Sequence, residues 1–298
     1  MSTERRNPRS VDIDLFPTER ILRIINAEDA LVANAVGAAV PGIAKAVDFG
    51  VEAIRNGGRI LYVGAGTSGR IGALDAAECP STFSAPVEWV EAVIAGGSKA
   101  LVQALEGAED DPTRAATDLK ARKVSSKDLV IGLAASGKTP YTVAALEYAK
   151  SRGARTVAVV AAQDTPMGKI ADVVIETLVG PEIVTGSTRM KAGTAQKLVL
   201  NMISTTAMIR LGMTYSNWMI NVTMTNTKLR TRGVHMLCEI LGVSPDEAQE
   251  LSERSGGKLK VAVVMGAAGC SRKDAEARLE AGNGNLRKIL GHLGAGRE

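Results

Sequence analysis

The chain has 298 residues, of which 45% are hydrophobic and only 3% aromatic, so any core must be built mainly from Val, Ile, Leu, Ala and Met. Charged residues make up 23% of the chain, which is typical of a soluble globular protein and argues against disorder. The net charge is only +4 and the basic residues are interleaved with acidic ones, so the composition does not indicate nucleic-acid binding.

The residues that most often hold metals are scarce. Cys79, Cys238 and Cys270 are widely separated, which excludes a disulfide framework and a zinc finger. With only His235 and His292, a histidine-rich metal centre is also excluded. No apolar run reaches the roughly 18 residues that a membrane helix needs, and the polar start lacks a signal-peptide core. We therefore expect a cytoplasmic protein that does not bind a membrane.

Helices are predicted first in the chain, between Ser10 and Gly57, with Pro17-Thr18-Glu19 as a helix start. Five short apolar strands follow. Each precedes a Gly/Ser/Thr turn and a helical pattern, which indicates a parallel α/β sheet covered by helices on both faces. The predicted strands are Arg59–Gly64, Glu88–Ile94, Asp128–Ala134, Thr156–Ala161 and Val173–Glu176.

Helices are predicted again after the last strand. Residues 191–211 form a long apolar helix, either in the core or at a subunit interface. Helix starts at Ser244 and Ser271 predict a small bundle of short helices up to Leu293. We divide the chain into an N-terminal helical segment (1–45), an α/β domain (46–220) and a C-terminal helical region (221–298).

The loop after the first strand, GAGTSGR, matches the pattern G-x-G-x-x-G. A dinucleotide site would also need an acid about 20 residues on, which Glu88 or Glu91 would supply. Thr67 and Ser68 favour a different ligand, because paired hydroxyls beside free helix-start amides suit a phosphomonoester. The candidate phosphate-binding residues in this loop are Gly66, Thr67 and Ser68.

The loop after the third strand, GLAASGKT, formally matches a nucleotide-hydrolase pattern. We interpret this match as chance, because the apolar residues before Ser136 extend the strand and Pro140 removes an amide. A purely structural turn is the other alternative. The loop repeats the Ser-Gly-basic order of the first loop, and turns at the carboxyl ends of neighbouring strands converge on one crevice. The candidates for binding a small anion are Ser136, Gly137, Lys138 and Thr139.

The segment before the long apolar helix holds a third group of candidate site residues. It contains Glu182, Ser187, Thr188, Arg189 and Lys191, which could hold sugar hydroxyls or phosphate. The alternative is that Ser187 and Thr188 merely cap that helix.

Two glutamates are predicted to lie in loops: Glu78, just before Pro80, which should end its helix, and Glu109, in an acidic turn. Taken alone, each is more often a solvated acid. Their sequence spacing cannot show whether they meet. If they do, two carboxyls in an apolar crevice could have separated pKa values and divide acid and base duties.

Together these motifs resemble the SIS (sugar isomerase) superfamily and, more closely, the N-acetylmuramic acid 6-phosphate etherases, which are relatives of the glucokinase regulatory protein. The resemblance covers nearly the whole chain. It is carried by TERRNPRSVDID, RIINAEDALV, ILYVGAGTSGRIGALDAAECPSTF, LEGAEDD, GLAASGKTPYTVAALEYA and GPEIVTGSTRMKAGTAQKLVLNM.

The resemblance implies a five-stranded parallel SIS sheet, a homodimer with the active site near the subunit interface, and no metal or organic cofactor. It further implies a sugar-phosphate substrate, N-acetylmuramate 6-phosphate, whose D-lactyl ether is cleaved to give N-acetylglucosamine 6-phosphate and D-lactate in peptidoglycan recycling. By motif, Glu78 is the proton donor and Glu109 the second catalytic residue. A non-catalytic sugar-phosphate sensor and a sugar-phosphate isomerase remain as alternatives.

Overall fold

The computed structural model describes residues 4–291 and divides the chain into two compact units. The first unit contains the chain up to Glu78 together with Pro86–Ala207. The second contains Cys79–Ala85 and the chain from Met208 onwards. The division at residues 45 and 220 that we expect from the sequence stays a prediction.

The first unit alternates strands and helices, as predicted. The five strands agree with the sequence-based bounds to within two residues at each end. Helices α4 and α9 begin in this unit and end in the second. The elements are α1 (Thr18–Asp29), α2 (Val32–Ala38), α3 (Val40–Arg55), β1 (Ile60–Gly64), α4 (Gly66–Phe83), β2 (Val90–Ile94), α5 (Lys99–Val102), α6 (Pro112–Ala121), β3 (Leu129–Leu133), α7 (Pro140–Ser151), β4 (Arg155–Val160), α8 (Pro166–Ile170), β5 (Val173–Glu176) and α9 (Lys191–Arg210).

The five strands form one parallel sheet in the order β2-β1-β3-β4-β5. Every residue of β1 and β3 is buried, as expected for central strands covered by helices on both faces. Gly64, the last residue of β1, lies opposite Ile94 of β2 and Leu133 of β3. The loops after these three strands therefore leave the sheet at the same edge, and the predicted fold class is confirmed.

Helix α4 runs back along β1, away from that edge. Its small residues allow a close approach to the sheet: a Cβ on Gly69 would lie 2.5 Å from Ile94 Cγ1, and one on Gly72 would lie 3.0 Å from Tyr62 Cβ. Ile94 ends β2 and Tyr62 is in the middle of β1, so successive turns of the helix lie progressively further from the carboxyl edge.

The prediction that Pro80 ends this helix is wrong, because α4 continues to Phe83. A proline removes one donor of the helix and clashes with the preceding turn, which can bend a helix without ending it. Glu78 therefore lies within a helix rather than in a loop.

The second unit has its own hydrophobic core, in which α12 is buried along most of its length. The predicted helix starts are confirmed: Ser244 forms a capping box with Glu247, and Ser271 accepts a hydrogen bond from the amide of Asp274. His292 and the end of the predicted bundle lie outside the described residues. The elements are β6 (Thr214–Tyr215), β7 (Trp218–Met219), α10 (Thr227–Leu241), α11 (Pro245–Arg254), α12 (Leu259–Ala268), α13 (Arg272–Ala281) and α14 (Leu286–Leu290).

Across residues 4–291, no single helix has the length and apolar composition to cross a membrane. One pair, Thr18–Ala38 with Val40–Arg55, meets the criteria jointly by length and composition but is bent by 61°.

A buried ion pair joins α1 to the start of α9. Glu28 and Lys191 each have side chains that are 1% exposed, and Lys191 Nζ lies 2.5 Å from Glu28 Oε2. The N-terminal arm, defined here as residues 4–10, contributes two more partners. Asn7 Nδ2 donates to Glu28 Oε2 at 2.9 Å, and Arg9 Nε lies 2.6 Å from Glu28 Oε1. Glu28 is therefore the point at which the arm, α1 and α9 meet.

The arm also holds the loop that follows β5. Asn7 Nδ2 donates to the carbonyl oxygen of Pro181 at 3.2 Å, and Ser10 Oγ donates to that of Ile183 at 2.7 Å. Asn7 is only 2% exposed. Because these contacts join residues more than 170 positions apart, they position the loop before α9 independently of its local sequence.

The pKa of Glu28 reflects a competition between burial and pairing. Burial by itself raises the pKa of this carboxyl, but hydrogen bonds from Lys191 and Asn7 and the charges of Lys191 and Arg9 lower it. The net result is a pKa below the ordinary value of 4.5, so Glu28 is ionised at neutral pH.

The first prediction is that Lys191→Met lowers the free energy of unfolding by about 3–5 kcal/mol, because it leaves a buried carboxylate without its closest cation. Denaturant unfolding measures the loss. Lys120→Met, an exposed site in α6, should change the value by less than about 0.5 kcal/mol. Equal effects of the two substitutions would contradict a stabilising role for the Glu28–Lys191 pair.

The second prediction concerns the stability difference between the wild-type protein and Glu28→Gln. A pKa lowered by folding contributes stability that is present above the ordinary pKa of 4.5 and is lost as the pH falls through the folded-state pKa. The difference in melting temperature should therefore be largest near pH 7 and shrink as the pH falls below 4.5. Glu19→Gln, at a side chain that is 76% exposed, is the matched control and should show little pH dependence. A Glu28→Gln difference that stays constant down to low pH would refute the assignment.

Candidate functional site

Two hydroxyl-bearing loops lie side by side at the carboxyl edge of the sheet. Thr67 and Ser68 are in the first turn of α4, which begins at Gly66 directly after β1. Ser136 follows β3, the neighbour of β1. These three hydroxyl residues are half-buried, so they are held by the fold while remaining accessible. The structure thus brings together the two loops that the sequence predicted to converge.

The loop after β3 is a tight turn that requires glycine at position 137. Gly137 has a φ of +62°, and a Cβ at this position would lie 2.5 Å from Thr165 Cβ. Its amide donates to the carbonyl oxygen of Ala134 at 3.0 Å, and its own carbonyl oxygen accepts from the Met167 amide at 3.1 Å. The turn is therefore fixed on both sides, which favours a preformed binding loop over an open nucleotide-wrapping loop.

The polar residues of this turn differ in their contacts. Ser136 Oγ accepts a hydrogen bond from the amide of Lys138 at 3.2 Å. The Lys138 side chain is exposed. Thr139 precedes α7, but its side chain makes no capping hydrogen bond. The Thr139 hydroxyl, which is half-buried, is thus not used to cap the helix.

Glu182 caps helix α9. Its side chain is fully buried, and its two carboxylate oxygens accept hydrogen bonds from the amides of Lys191 and Ala192, each at 3.0 Å. A carboxylate at this position also interacts favourably with the helix dipole. The sequence had suggested Ser187 or Thr188 for this cap.

The segment before α9 therefore divides into buried and accessible residues. Glu182 and Lys191, both predicted as ligands, are occupied by buried protein contacts. Ser187 and Thr188 are half-buried, and Arg189 is exposed.

The start of α9 lies against the first loop. A Cβ on Gly193 would lie 3.5 Å from Thr67 Cγ2, and the Gly193 amide donates to the carbonyl oxygen of Thr188 at 3.0 Å. The segment from Ser187 to Arg189 is thus joined to a residue that contacts the β1 loop. Three of the predicted polar clusters consequently meet in one region of the first unit.

Glu109 is at the same edge of the sheet. It is exposed and lies in a short 3₁₀ turn, Ala108–Asp110. A Cβ on Gly96, in the loop after β2, would lie 3.4 Å from Ala108 Cβ. Because β2 is the neighbour of β1, this contact places the Glu109 turn beside the loop that carries Thr67 and Ser68.

Glu78 is not brought to the same place within one chain. It is exposed and lies twelve residues after Gly66 in α4. At 1.5 Å per residue, this corresponds to about 18 Å along the helix axis. Ser68 lies ten residues before Glu78, so about 15 Å of helix axis separates Glu78 from the Thr67–Ser68 turn, and α4 carries Glu78 away from the carboxyl edge.

One buried polar chain was missed by the sequence analysis. Asp75, which is 3% exposed, accepts a hydrogen bond from the Tyr62 hydroxyl at 3.0 Å and another from Lys197 Nζ at 3.2 Å. It joins β1, α4 and α9 one turn before Glu78. The available signal was an acidic residue within the apolar stretch IGALDAA. Within residues 4–291, no group of three or more His, Cys, Asp or Glu side chains could hold a metal ion.

Two family models match the α/β part of the chain. Residues 42–150 match the glucokinase regulatory protein N-terminal SIS domain, and residues 113–206 match the SIS domain. Among solved structures, the protein c3406 of E. coli CFT073 has a TM-score of 0.50 and 17% sequence identity, covering 68% of this chain and 97% of that one. At this identity the likeness concerns the fold alone.

Curated relatives match nearly the whole chain. The N-acetylmuramic acid 6-phosphate etherase of Edwardsiella ictaluri (strain 93-146) is 50% identical over 290 residues, covering 97% of both chains. Those of Mycolicibacterium smegmatis and Salmonella typhimurium are each 47% identical, covering 98% and 97% of this chain and 98% of their own lengths. Because this identity extends over nearly the full length, the chain belongs to the N-acetylmuramic acid 6-phosphate etherase family, which its sequence motifs resemble.

Proposed function

We propose that this protein cleaves the D-lactyl ether of N-acetylmuramate 6-phosphate, giving N-acetylglucosamine 6-phosphate and D-lactate. The observation that carries this proposal is the 50% identity to an etherase over 97% of both chains. The grouping of hydroxyl-bearing loops at one edge of the sheet supports a phosphate ligand. The protein would act in the cytoplasm, in peptidoglycan and amino-sugar recycling.

In this proposal the 6-phosphate binds between the two loops. Hydroxyls of Thr67, Ser68, Ser136 and Thr139 donate to its oxygens, together with amides near Gly66 and Gly137. Hydroxyl and amide donors suit a phosphomonoester, because they satisfy several oxygens at once in a fixed geometry. The phosphate is remote from the reacting carbons, so its binding energy serves to orient the sugar toward the catalytic groups.

The segment before α9 would contact the rest of the sugar. Ser187, Thr188 and Arg189 are the accessible residues of this segment and are our candidates for contacting its hydroxyls or phosphate. Glu182 and Lys191 would act on binding indirectly, because they fix the start of α9 through buried contacts.

The chemistry is an elimination followed by addition of water. In the open-chain sugar, the C1 aldehyde acidifies the C2 proton. A base removes this proton, a C2=C3 double bond forms, and the C3–O bond breaks as an acid protonates the departing lactate oxygen. Water then adds at C3 while a proton returns to C2. The reaction therefore needs a base near C2 and an acid near the ether oxygen, which makes the enzyme a carbon–oxygen lyase.

The two glutamates would supply these functions. Glu78 protonates the departing lactate and later activates the water, and Glu109 abstracts or relays the C2 proton. Both side chains are exposed in a single chain, so each is accessible to a second copy that would contribute to the active site.

The position of Glu78 supports a homodimer with shared active sites. The Glu109 turn lies beside the β1 loop of its own chain, whereas Glu78 is about 18 Å along α4 from Gly66. We therefore propose that each site combines the loops and Glu109 of one chain with Glu78 of the other. Leu74, one turn before Glu78, is 49% exposed and would be covered by the second chain.

The third prediction concerns the two glutamates. The wild-type protein should release D-lactate from N-acetylmuramate 6-phosphate, and Glu78→Gln or Glu109→Gln should lower kcat by about 10²–10⁴ with little change in binding. A coupled D-lactate assay and calorimetry measure the two effects. Glu106→Gln, an exposed acid near Glu109, is the control and should retain kcat within about twofold.

The alternatives give different outcomes in the same assay. A wild-type protein that binds the sugar phosphate without converting it would indicate a sensor, and formation of a ketose would indicate an isomerase. Near-normal turnover by Glu78→Gln would disprove its assignment as the acid.

The fourth prediction tests the shared site. Glu78→Gln and Glu109→Gln chains, mixed in equal amounts and allowed to exchange subunits, should recover about one quarter of wild-type activity. Half of the dimers are then mixed, and each mixed dimer has one site with both glutamates. Differently tagged chains, co-purified after mixing, verify the exchange. No recovered activity in verified mixed dimers would show that both glutamates of a site come from the same chain.

A further inference from the structure

A cleft of about 550 Å³ lies beside the loop that carries Ser136. It is formed at the carboxyl edge of the sheet by the N-terminal arm and by the segments that follow β3, β4 and β5. Its polar lining includes Arg5, Lys138, Gln163, Asp164 and Thr165. None of these five side chains is among the groups proposed above to bind the phosphate, and only Lys138 was a candidate from the sequence, so the cleft extends the site rather than repeating it.

The lining of the cleft includes two cationic side chains, those of Arg5 and Lys138. Arg5 and Lys138 are exposed, and neither forms an ion pair with an acidic group of residues 4–291. By contrast, Arg9 in the same arm is paired with Glu28. Asp164 also lines the cleft, which leaves two cations against one acid. The balance favours an anionic group as the occupant.

Arg5 is held at the cleft by buried contacts of the arm. Asn7, two residues later, is 2% exposed and is hydrogen-bonded to both Glu28 and the Pro181 carbonyl. On the other side of Arg5, Glu4 approaches the same loop, since a Cβ on Gly186 would lie 3.3 Å from Glu4 Oε2. The hydrogen bonds of Asn7 therefore hold the backbone close to Arg5, which reduces the entropy lost when its guanidinium binds a ligand.

Lys138 is connected directly to the proposed phosphate loop. Its amide donates to Ser136 Oγ, while its side chain lines the cleft. The Thr165 side chain packs against Gly137 and also lines the cleft. The same turn thus supplies hydroxyl and amide donors to the proposed phosphate site and a cation, Lys138, to the cleft.

We propose that Arg5 and Lys138 form a second anion subsite, which binds the lactyl carboxylate of the substrate. This inference rests on the proposed function, in which the substrate has two anionic groups, a phosphate and a carboxylate. A guanidinium binds a carboxylate through two parallel hydrogen bonds, and an ammonium adds a third charge-assisted donor. The subsite distinguishes the substrate from N-acetylglucosamine 6-phosphate, which has the same phosphate but lacks the carboxylate.

The experiment compares these two ligands in Arg5→Met and Lys138→Met. Each variant should raise the KM for N-acetylmuramate 6-phosphate about tenfold, the effect of losing one charge-assisted contact, while the inhibition constant of N-acetylglucosamine 6-phosphate stays within about twofold. Arg5→Lys, which keeps the charge, should retain a KM closer to the wild-type value. Lys127→Met, an exposed site before β3 and so at the opposite edge of the sheet, is the control and should change neither constant.

Other outcomes overturn the subsite. If both constants rise together, the two cations bind the shared phosphate. If neither constant changes in variants that melt at the wild-type temperature, the cleft does not bind the substrate.

A failure of the proposed function is recognised separately, because the wild-type protein then releases no D-lactate. In that case calorimetry with the same two ligands decides the subsite. Tighter wild-type binding of the carboxylate-bearing ligand, with the difference abolished in Arg5→Met, supports the subsite, and equal wild-type affinities refute it.

Discussion

The buried pair between Glu28 and Lys191 is the interaction on which the arrangement of the candidate site depends. Two opposite charges in a side-chain environment that is 1% exposed are favourable only when their partners are complete. Asn7 donates a hydrogen bond to Glu28 and Arg9 places a second cation beside it, so the ion pair is also linked to the N-terminal arm. Lys191 is the first residue of α9, and Glu182 holds the amides at that helix start. Three segments that are distant in sequence are thereby brought to one edge of the sheet.

The parallel sheet supplies the second constraint. Strands that run in one direction deliver all of their following loops to the same edge, which is why Thr67, Ser68 and Ser136 can converge on one ligand. The same topology requires the intervening helices to run back. Glu78, near the end of α4, is therefore distant from the loop at the start of its own helix. This separation is the basis of the proposal that a second chain supplies the acid.

The distribution of charge agrees with this division of roles. The net charge of +4 is small, and several basic side chains of the first unit are neutralised by acids: Lys191 by Glu28, Arg59 by Glu91 and Lys150 by Asp172. The phosphate is proposed to depend on hydroxyls and amides. Arg5 and Lys138 differ from these paired residues. Both line a cleft, and neither forms an ion pair with an acid of residues 4–291. Their position, rather than the overall charge, carries the inference of a carboxylate subsite.

The sequence by itself determined the features that depend on local pattern. Apolar β-branched runs followed by small-residue turns located all five strands, capping residues located the starts of α11 and α13, and the spacing of hydroxyls in GAGTSGR and AASGKT identified the loops. Long motifs also indicated the family, which the curated relatives then established.

The tertiary structure alone decided the features that depend on contacts between distant residues. Lys191 is a buried ion-pair partner because it meets Glu28, which lies 163 positions away in sequence, and the loop that carries the capping Glu182 is held by Asn7 and Ser10 of the N-terminal arm. Arg5 reaches a cleft formed by three later loops. Glu78 is separated from Thr67 and Ser68 because α4 is helical from Gly66 through Glu78 and runs back along the sheet. Local spacing cannot specify these outcomes, since burial and pairing are properties of the packed chain.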